Sequence, residues 1–131
     1  MSGRVEPQDG LVAAEIFADR VPHDVWALGL HAVALERVGR MDDAERAYQR
    51  ALAADPTDST NLVNYAQFLV RVPGDQDRAE ELFQRALVAD PGRAVILRDY
   101  AIFLEHVRGE PERAAEHYLR ALAIDPRLDK D

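Results

Sequence analysis

The side chains best suited to chemistry in this sequence are its four histidines, and their spacing does not build a catalytic or metal site. A metal-binding pair on one helix needs a second ligand about four residues away, but Leu35 occupies that place relative to His31. His23, His106 and His117 are dispersed along the chain. We therefore expect His31 to be a core histidine, and we predict no metal.

Two clusters of charged residues could be taken for acid–base pairs. They are Glu45, Arg46 and Arg50, and Glu80, Glu81 and Arg85. Solvated helix faces with helical salt bridges explain them better, because each such pair contributes only about 0.2–0.5 kcal/mol. The sequence has no cysteine, phosphate-binding glycine loop, nucleophile elbow or His-Glu-x-x-His helix. We predict that the protein is not an enzyme and uses no cofactor.

Charge and composition restrict the partners. The 131 residues include 16 Lys and Arg against 24 Asp and Glu, a net charge of −8, which repels a polyanion and argues against nucleic acid. The absence of cysteine favours a reducing compartment, so we expect the cytoplasm. Glu15, Asp19 and Arg20 interrupt the apolar residues near the N-terminus, and no segment is apolar enough for a signal peptide or a membrane span.

The chain contains an internal repeat. RALAADP at 50–56 returns as RALVADP at 85–91 and RALAIDP at 120–126, so that Pro56, Pro91 and Pro126 are each 35 residues apart. A period of this length is typical of stacked helical or mixed units that bury a common core. The length is that of one domain.

Each unit begins with a helix whose buried stripe has the spacing i, i+3, i+4 and i+7. The stripe consists of Leu28, His31, Ala32 and Leu35, then Leu62, Tyr65, Ala66 and Leu69, then Leu97, Tyr100, Ala101 and Leu104. The alanine at the third place allows a neighbouring helix to approach, since a larger side chain there would cost about 1–3 kcal/mol in strain.

A second helix follows a turn marked by Gly39, Gly74 or Gly109, which can adopt the left-handed conformation that ends a helix. The second and third units have one extra residue before this glycine, which we place at Pro73 and Arg108. The apolar face of the second helix combines alanines with one aromatic ring, which fills the gap that the alanines leave. These faces are Ala44, Tyr48, Ala51 and Leu52; Ala79, Phe83, Ala86 and Leu87; and Ala114, Tyr118, Ala121 and Leu122. Asp-Pro then stops each helix.

The N-terminal segment differs from the repeats. Residues 1–10 are predicted to be a flexible leader. Val12, Ala13, Ile16 and Phe17 have helical spacing, and we interpret residues 11–22 as a capping helix, a degenerate half repeat that covers the first full unit.

Each unit combines a small residue on its first helix, a glycine turn and a second-helix pattern, which in the first unit is Ala44, Tyr48, Ala51 and Pro56. This combination, with its two copies, resembles the tetratricopeptide repeat. The three repeats are 24–56, 58–91 and 93–126, followed by a tail at 127–131. The sequence departs from the family pattern at His31, where a large apolar residue is usual, and at the typical tryptophan. That tryptophan is replaced by Leu28, Leu62 and Leu97.

The resemblance implies an all-α fold, a right-handed superhelical solenoid of antiparallel helix pairs. It also implies a protein-binding module whose first helices line a concave groove. Carried over position by position, the groove residues are Trp26, Gly29, Val33 and Arg37; Val63, Asn64, Gln67 and Arg71; and Arg98, Asp99, Ile102 and His106.

This set combines apolar contacts at Val33, Val63 and Ile102 with the positive charge of three arginines and, when protonated, His106. Arginine binds a carboxylate in a bidentate fork, so we expect an extended or acidic peptide as the ligand, with Asn64 bonding to its backbone. The carboxylate clamp of the family uses lysines and asparagines, of which the sequence matches only Asn64, so no C-terminal motif is assigned.

Trp26, the single tryptophan, has two interpretations. It is either an aromatic anchor at the mouth of the groove or a residue that packs on the N-terminal helix against Ile16 or Phe17.

Two functions remain open from the sequence. The first is an adaptor that binds a protein or peptide in the concave groove. The second is a self-assembling unit, a homo-oligomer joined through the last repeat, because only RLDKD follows Pro126 and this is too short for the usual capping helix. Its contact residues would be Leu119, Leu122 and Ile124.

Overall fold

The computed structural model describes residues 7–130, with side chains from 10 to 128. This part of the chain contains seven α-helices and one 3₁₀ helix, and no strand. The helices are α1 (Pro7–Arg20), α2 (Val25–Arg37), α3 (Met41–Ala54), α4 (Ser59–Val70), α5 (Gln76–Ala89), α6 (Ala94–His106) and α7 (Pro111–Ile124), followed by the 3₁₀ helix η1 (Pro126–Lys130). The prediction of an all-α helical-repeat fold is confirmed.

The residues divide into two compact units, and each is described by itself. The first unit extends to Tyr65 and contains α1, α2, α3 and the first half of α4. The second unit begins at Ala66 and contains the rest of α4 with α5, α6, α7 and η1.

The predicted stripe of each first helix is buried. Leu28, Ala32 and Leu35 of α2 are almost inaccessible to solvent, and the corresponding residues of α4 and α6 are buried as well. His31 is the exception, because part of its side chain reaches solvent. The core therefore follows the i, i+3, i+4, i+7 spacing of the sequence.

The aromatic residues of α3 and α5 fill the core beside these stripes, whereas Tyr118 of α7 is only half-buried. Tyr48 of α3 stacks on Tyr65 of α4 with ring centroids 5.3 Å apart. In the second unit, Phe83 of α5 stacks on Tyr100 of α6 at 5.6 Å. Stacked rings at this distance stabilise a pair by about 0.5–1.5 kcal/mol beyond their burial, as expected for rings packed between small residues.

The turns within each repeat use glycine for its backbone conformation. Gly39, Gly74 and Gly109 have positive φ angles of 84°, 85° and 67°, a region that strains residues with a Cβ. The extra residue of the later repeats is also visible. Met41 follows Val25 by 16 residues, whereas Gln76 follows Ser59 by 17 and Pro111 follows Ala94 by 17.

The N-terminal helix differs from the prediction in its start and in its buried face. α1 begins at Pro7, because proline lacks only an N–H group that has no partner at a first helical position. Residues 7–10 of the predicted leader therefore belong to the helix. The rest of that leader, residues 1–6, lies outside the described residues. Val12 and Ile16 are exposed, and Leu11 and Ala18 are buried instead. Alternative stripes in this short apolar segment have similar spacing, and only packing against α2 selects one.

The C-terminal end of the second unit is partly covered. Within η1, Leu128 packs against Ala94, Leu97 and Ala121. The described part of the predicted tail, residues 127–130, therefore forms a turn that contributes to the core. None of the described helices is long and apolar enough to cross a membrane.

Candidate functional site

A groove of about 950 Å³ opens in the first unit between α1, α2 and the first half of α4. Each helix contributes residues at intervals of three or four, which places them on one face. The lining residues are Gly10, Ala13, Ala14 and Phe17 of α1; Trp26, Gly29, Leu30, Val33, Ala34 and Arg37 of α2; and Thr60, Asn61 and Asn64 of α4.

Trp26 lies at the N-terminal end of α2, on the wall of the groove. Its indole meets the ring of Phe17 edge to face, with centroids 5.5 Å apart at 75°. The side chain nevertheless remains 66% exposed. The two interpretations of Trp26 are therefore not exclusive, because contact with α1 fixes one edge of the ring and leaves most of its surface accessible.

Asn61 joins α4 to α2 at the floor of the groove. Its side chain is almost completely buried, and its Nδ2 donates a hydrogen bond to the backbone oxygen of Val25 at 3.2 Å. Gly29 of α2 faces the same carboxamide, and a Cβ at that position would overlap it. The close approach of the two helices thus depends on glycine.

The polar groups among the described lining residues are few and carry no negative charge. Arg37 lies at the C-terminal end of α2 and is exposed, and Asn64 and Thr60 lie on α4. No described lining residue is acidic, although the whole sequence carries a net charge of −8. The groove is therefore apolar with one cationic end, which suits a ligand of the complementary character.

The structure brings together five of the residues predicted for the groove, namely Trp26, Gly29, Val33, Arg37 and Asn64. Val63 does not lie on this surface, because it is only 8% exposed. It was assigned from its position in the repeat, and the packing of α4 buries it.

The predicted residues of the second unit differ in exposure. Gln67, Arg71, Ile102 and His106 are exposed. Arg98 is half-buried, and its guanidinium approaches Asp99 at 3.5 Å. Burial of Asp99 raises the pKa of its carboxyl above the ordinary value, and the neighbouring Arg98 only partly opposes this.

Sequence reasoning missed the contribution of α1 to the groove. Gly10, Ala13, Ala14 and Phe17 recur at helical spacing, which was a readable signal for one face. Leu30, Ala34, Thr60 and Asn61 were missed too, because the family pattern does not assign them to the ligand.

His31 borders a second cavity of about 320 Å³ on the other side of α1. Its Nδ1 is buried without a hydrogen-bond partner, and its Nε2 is 3.9 Å from Glu15. Burial lowers the pKa of His31 below the ordinary value of 6.5, although Glu15 opposes the shift. No group of residues suited to a metal occurs in the described chain.

Glu80 corrects the expectation that the charged residues of the second helices are solvated. Its carboxylate is only 14% exposed and accepts hydrogen bonds from Tyr100 at 2.6 Å, Arg108 at 2.9 Å and Arg113 at 3.2 Å. Burial opposes its ionisation, but the three donors outweigh burial and hold the pKa of Glu80 below 4.5. α6, α7 and the turn between them supply these donors, so spacing within α5 did not predict them.

The predicted contact residues of the last repeat are unequally accessible. Leu119 and Ile124 of α7 are exposed, whereas Leu122 is half-buried. These residues offer a smaller apolar surface than the sequence suggested.

Two family models match the chain. Both describe the tetratricopeptide repeat, one over residues 25–68 and the other over residues 73–129. Together they cover α2 to α7 except for residues 69–72, and α1 lies outside the matched region.

Solved structures of MamA are similar in fold. A crystal structure of MamA has a TM-score of 0.77 and 18% identity, with 95% of this chain and 72% of that chain covered. MamA MSR-1 C2 has a TM-score of 0.71, 21% identity and coverages of 93% and 69%. MamA 41-end from Desulfovibrio magneticus RS-1 has a TM-score of 0.72, 17% identity and coverages of 92% and 67%. Comparison with curated proteins gave no match.

Proposed function

Since the chain belongs to the tetratricopeptide repeat family, we propose that it is an interaction scaffold that binds an extended or acidic segment of a protein partner on its first helices. The groove of the first unit carries this proposal, because an exposed Trp26, an apolar wall and Arg37 lie together there. Exposed tryptophan and arginine are the residue types most often found at the energetic centre of interfaces.

The surface of the second unit supports the same ligand chemistry. Arg71, which directly follows α4, and Ile102 and His106 of α6 are each exposed, so basic and apolar groups recur on or beside the later first helices. We propose that the protein acts without a cofactor and without catalysis, in the cytoplasm.

A selection from a library of random short peptides on the immobilised protein tests the proposal. We expect retained peptides to be enriched in acidic residues, and the triple variant Arg37→Glu, Arg71→Glu and Arg98→Glu to retain fewer of them. The triple variant Arg46→Glu, Arg85→Glu and Arg120→Glu is the matched control, because it makes the same charge change at exposed sites on the second helices α3, α5 and α7. Equal retention by both variants, or no enrichment at all, would contradict peptide binding on the first helices.

Self-assembly is the second candidate, and the exposure of Leu119 and Ile124 favours it. Exposed aliphatic side chains on one helix are a common feature of interfaces. Light scattering after size-exclusion chromatography, over a range of concentrations, measures the mass directly. A dimer that dissociates in the variant Leu119→Glu and Ile124→Lys would support this candidate, whereas a monomer at every concentration would remove it.

A further inference from the structure

We propose that the groove between α1, α2 and α4 takes an extended segment of a protein partner with a large apolar side chain at Trp26 and a carboxylate at Arg37. The inference rests on the proposed function and names the chemistry of the bound segment.

The size and walls of the groove favour a bulky apolar side chain. Its volume of about 950 Å³ lies at the upper end of the range of about 300–1,000 Å³ for ligand pockets, which is room for several side chains. On the α1 side, Gly10, Ala13 and Ala14 have small side chains or none, which leaves room for a large side chain of the ligand. Phe17 holds one edge of Trp26, so the anchor ring is oriented before a ligand arrives.

Charge complementarity selects the second group of the ligand. Arg37 is exposed on the groove, and no described acidic residue pairs with it. A bound carboxylate could therefore accept hydrogen bonds from two N–H groups of the Arg37 guanidinium in a bidentate pair. A basic ligand group would meet like charge at this end and no described acidic lining residue.

The length of α2 sets the spacing between the two groups. Trp26 and Arg37 are eleven positions apart on one helix, which corresponds to about 16 Å along its axis at 1.5 Å per residue. An extended segment spans this distance with about five residues at roughly 3.3 Å each. The Asn64 carboxamide lines the same groove and can bond to the backbone of an extended segment. The ligand pattern is thus a large apolar residue and an acidic residue about five positions apart.

The experiment uses the full chain and synthetic peptides. A probe peptide with one Phe and one Asp five positions apart, on an otherwise Ser and Ala backbone, is compared by fluorescence anisotropy with three others. In one the Asp is replaced by Lys, in another the Phe is replaced by Ser, and in the third the two groups are adjacent. We expect the Phe and Asp peptide to bind best, by at least about tenfold over each of the others.

Variants of the protein assign the contacts. We expect Trp26→Ala to weaken binding of the Phe and Asp peptide by at least about tenfold, as for an interface anchor. Val88→Ala is the control, because Val88 is also exposed, at 84%, and lies on α5 outside any proposed contact surface. Arg37→Glu should invert the preference from the Asp peptide to the Lys peptide, and Arg120→Glu should leave it unchanged. Circular dichroism confirms that each variant is folded.

Three results would overturn the inference. The first is equal binding of the Asp and Lys peptides by the unmodified chain, and the second is an unchanged preference in Arg37→Glu. The third is a dimer that Trp26→Ala dissociates, which would make a second copy the occupant of the groove. If the random library still yields first-helix ligands in these cases, the proposed function stands; if the library yields none, that proposal fails as well.

Discussion

Gly29 of α2 faces the side chain of Asn61 of α4 so closely that a single methyl group at residue 29 would overlap the carboxamide. Asn61 cannot easily move away, because its Nδ2 bonds to the backbone oxygen of Val25 and its side chain is almost completely buried. The pair therefore sets the distance between two walls of the groove.

The variant Gly29→Ala should destabilise the protein despite the higher helix propensity of alanine. The methyl group must displace Asn61, and overpacking of this kind costs about 1–3 kcal/mol. Urea unfolding followed by circular dichroism measures the change.

Two further variants test the cause of that loss. Gly10→Ala is the matched control, because nothing lies within 4 Å of a Cβ there and the change should be neutral or stabilising. Combining Gly29→Ala with Asn61→Ala should recover part of the loss, and strictly additive effects would show that the two residues do not conflict.

The pH dependence of stability should contain a contribution from His31. Burial lowers the pKa of His31 in the folded chain below 6.5, so the unfolded chain binds the proton first as the pH falls. The contribution of His31 to the free energy of unfolding is fully present well above pH 6.5. It decreases as the pH falls from there toward the folded pKa.

The variant His31→Leu should remove that contribution and the unpartnered Nδ1. We expect its stability to change less than that of the unmodified chain between pH 7 and pH 5, which thermal unfolding at each pH can measure. His23→Gln, at an exposed site, should retain the original profile. A profile for His31→Leu that parallels the unmodified chain would be evidence against this role.

Glu80 should stabilise the second unit through its three donors. Replacing it with Gln removes the charge that Tyr100, Arg108 and Arg113 bind, and we expect a loss of about 1–3 kcal/mol. Because the folded pKa of Glu80 lies below 4.5, the difference between the two proteins should persist at neutral pH and shrink as the pH falls through that folded pKa.

Urea titrations at neutral and acidic pH measure this difference. Glu81→Gln is the control, since Glu81 is the neighbouring exposed carboxylate on α5. An equal loss in the two variants, or a loss independent of pH, would refute the assignment to the buried network.

The turn at Gly39 should not tolerate a Cβ. Its φ of 84° lies in the left-handed region, where an L-residue costs about 1–2 kcal/mol. We expect Gly39→Ala to lower the midpoint of urea unfolding and Gly92→Ala, which has no positive φ and no neighbour within 4 Å, to leave it nearly unchanged. Similar midpoints for both variants would contradict the strain argument.

Much of the fold could be predicted from spacing alone. The buried stripe, the alanine and aromatic face and the glycine turns recur in register, and helical periodicity converts such spacing directly into faces. Spacing is ambiguous at α1, where the buried residues are Leu11 and Ala18 rather than Val12 and Ile16. That segment has no repeat partner in the sequence to fix its register.

The candidate site was less predictable than the fold. The positions of Trp26 and Arg37 on α2 correctly predicted that they line the groove. The corresponding argument failed for Val63 on α4, which is buried. The α1 wall and the contact between Gly29 and Asn61 arise from helices that are distant in sequence. Spacing within one helix carries no information about the distance to another.

The sequence by itself determined the repeat, the helical class, the turns and the absence of cysteine chemistry, because each is a local property of residue types and their spacing. Tertiary structure alone decided which face of α1 is buried, that Glu80 lies inside a network of three donors, and that the first unit has a groove without acidic lining residues in its described part. These depend on how closely separate helices approach, and side-chain volumes from several helices set that distance together.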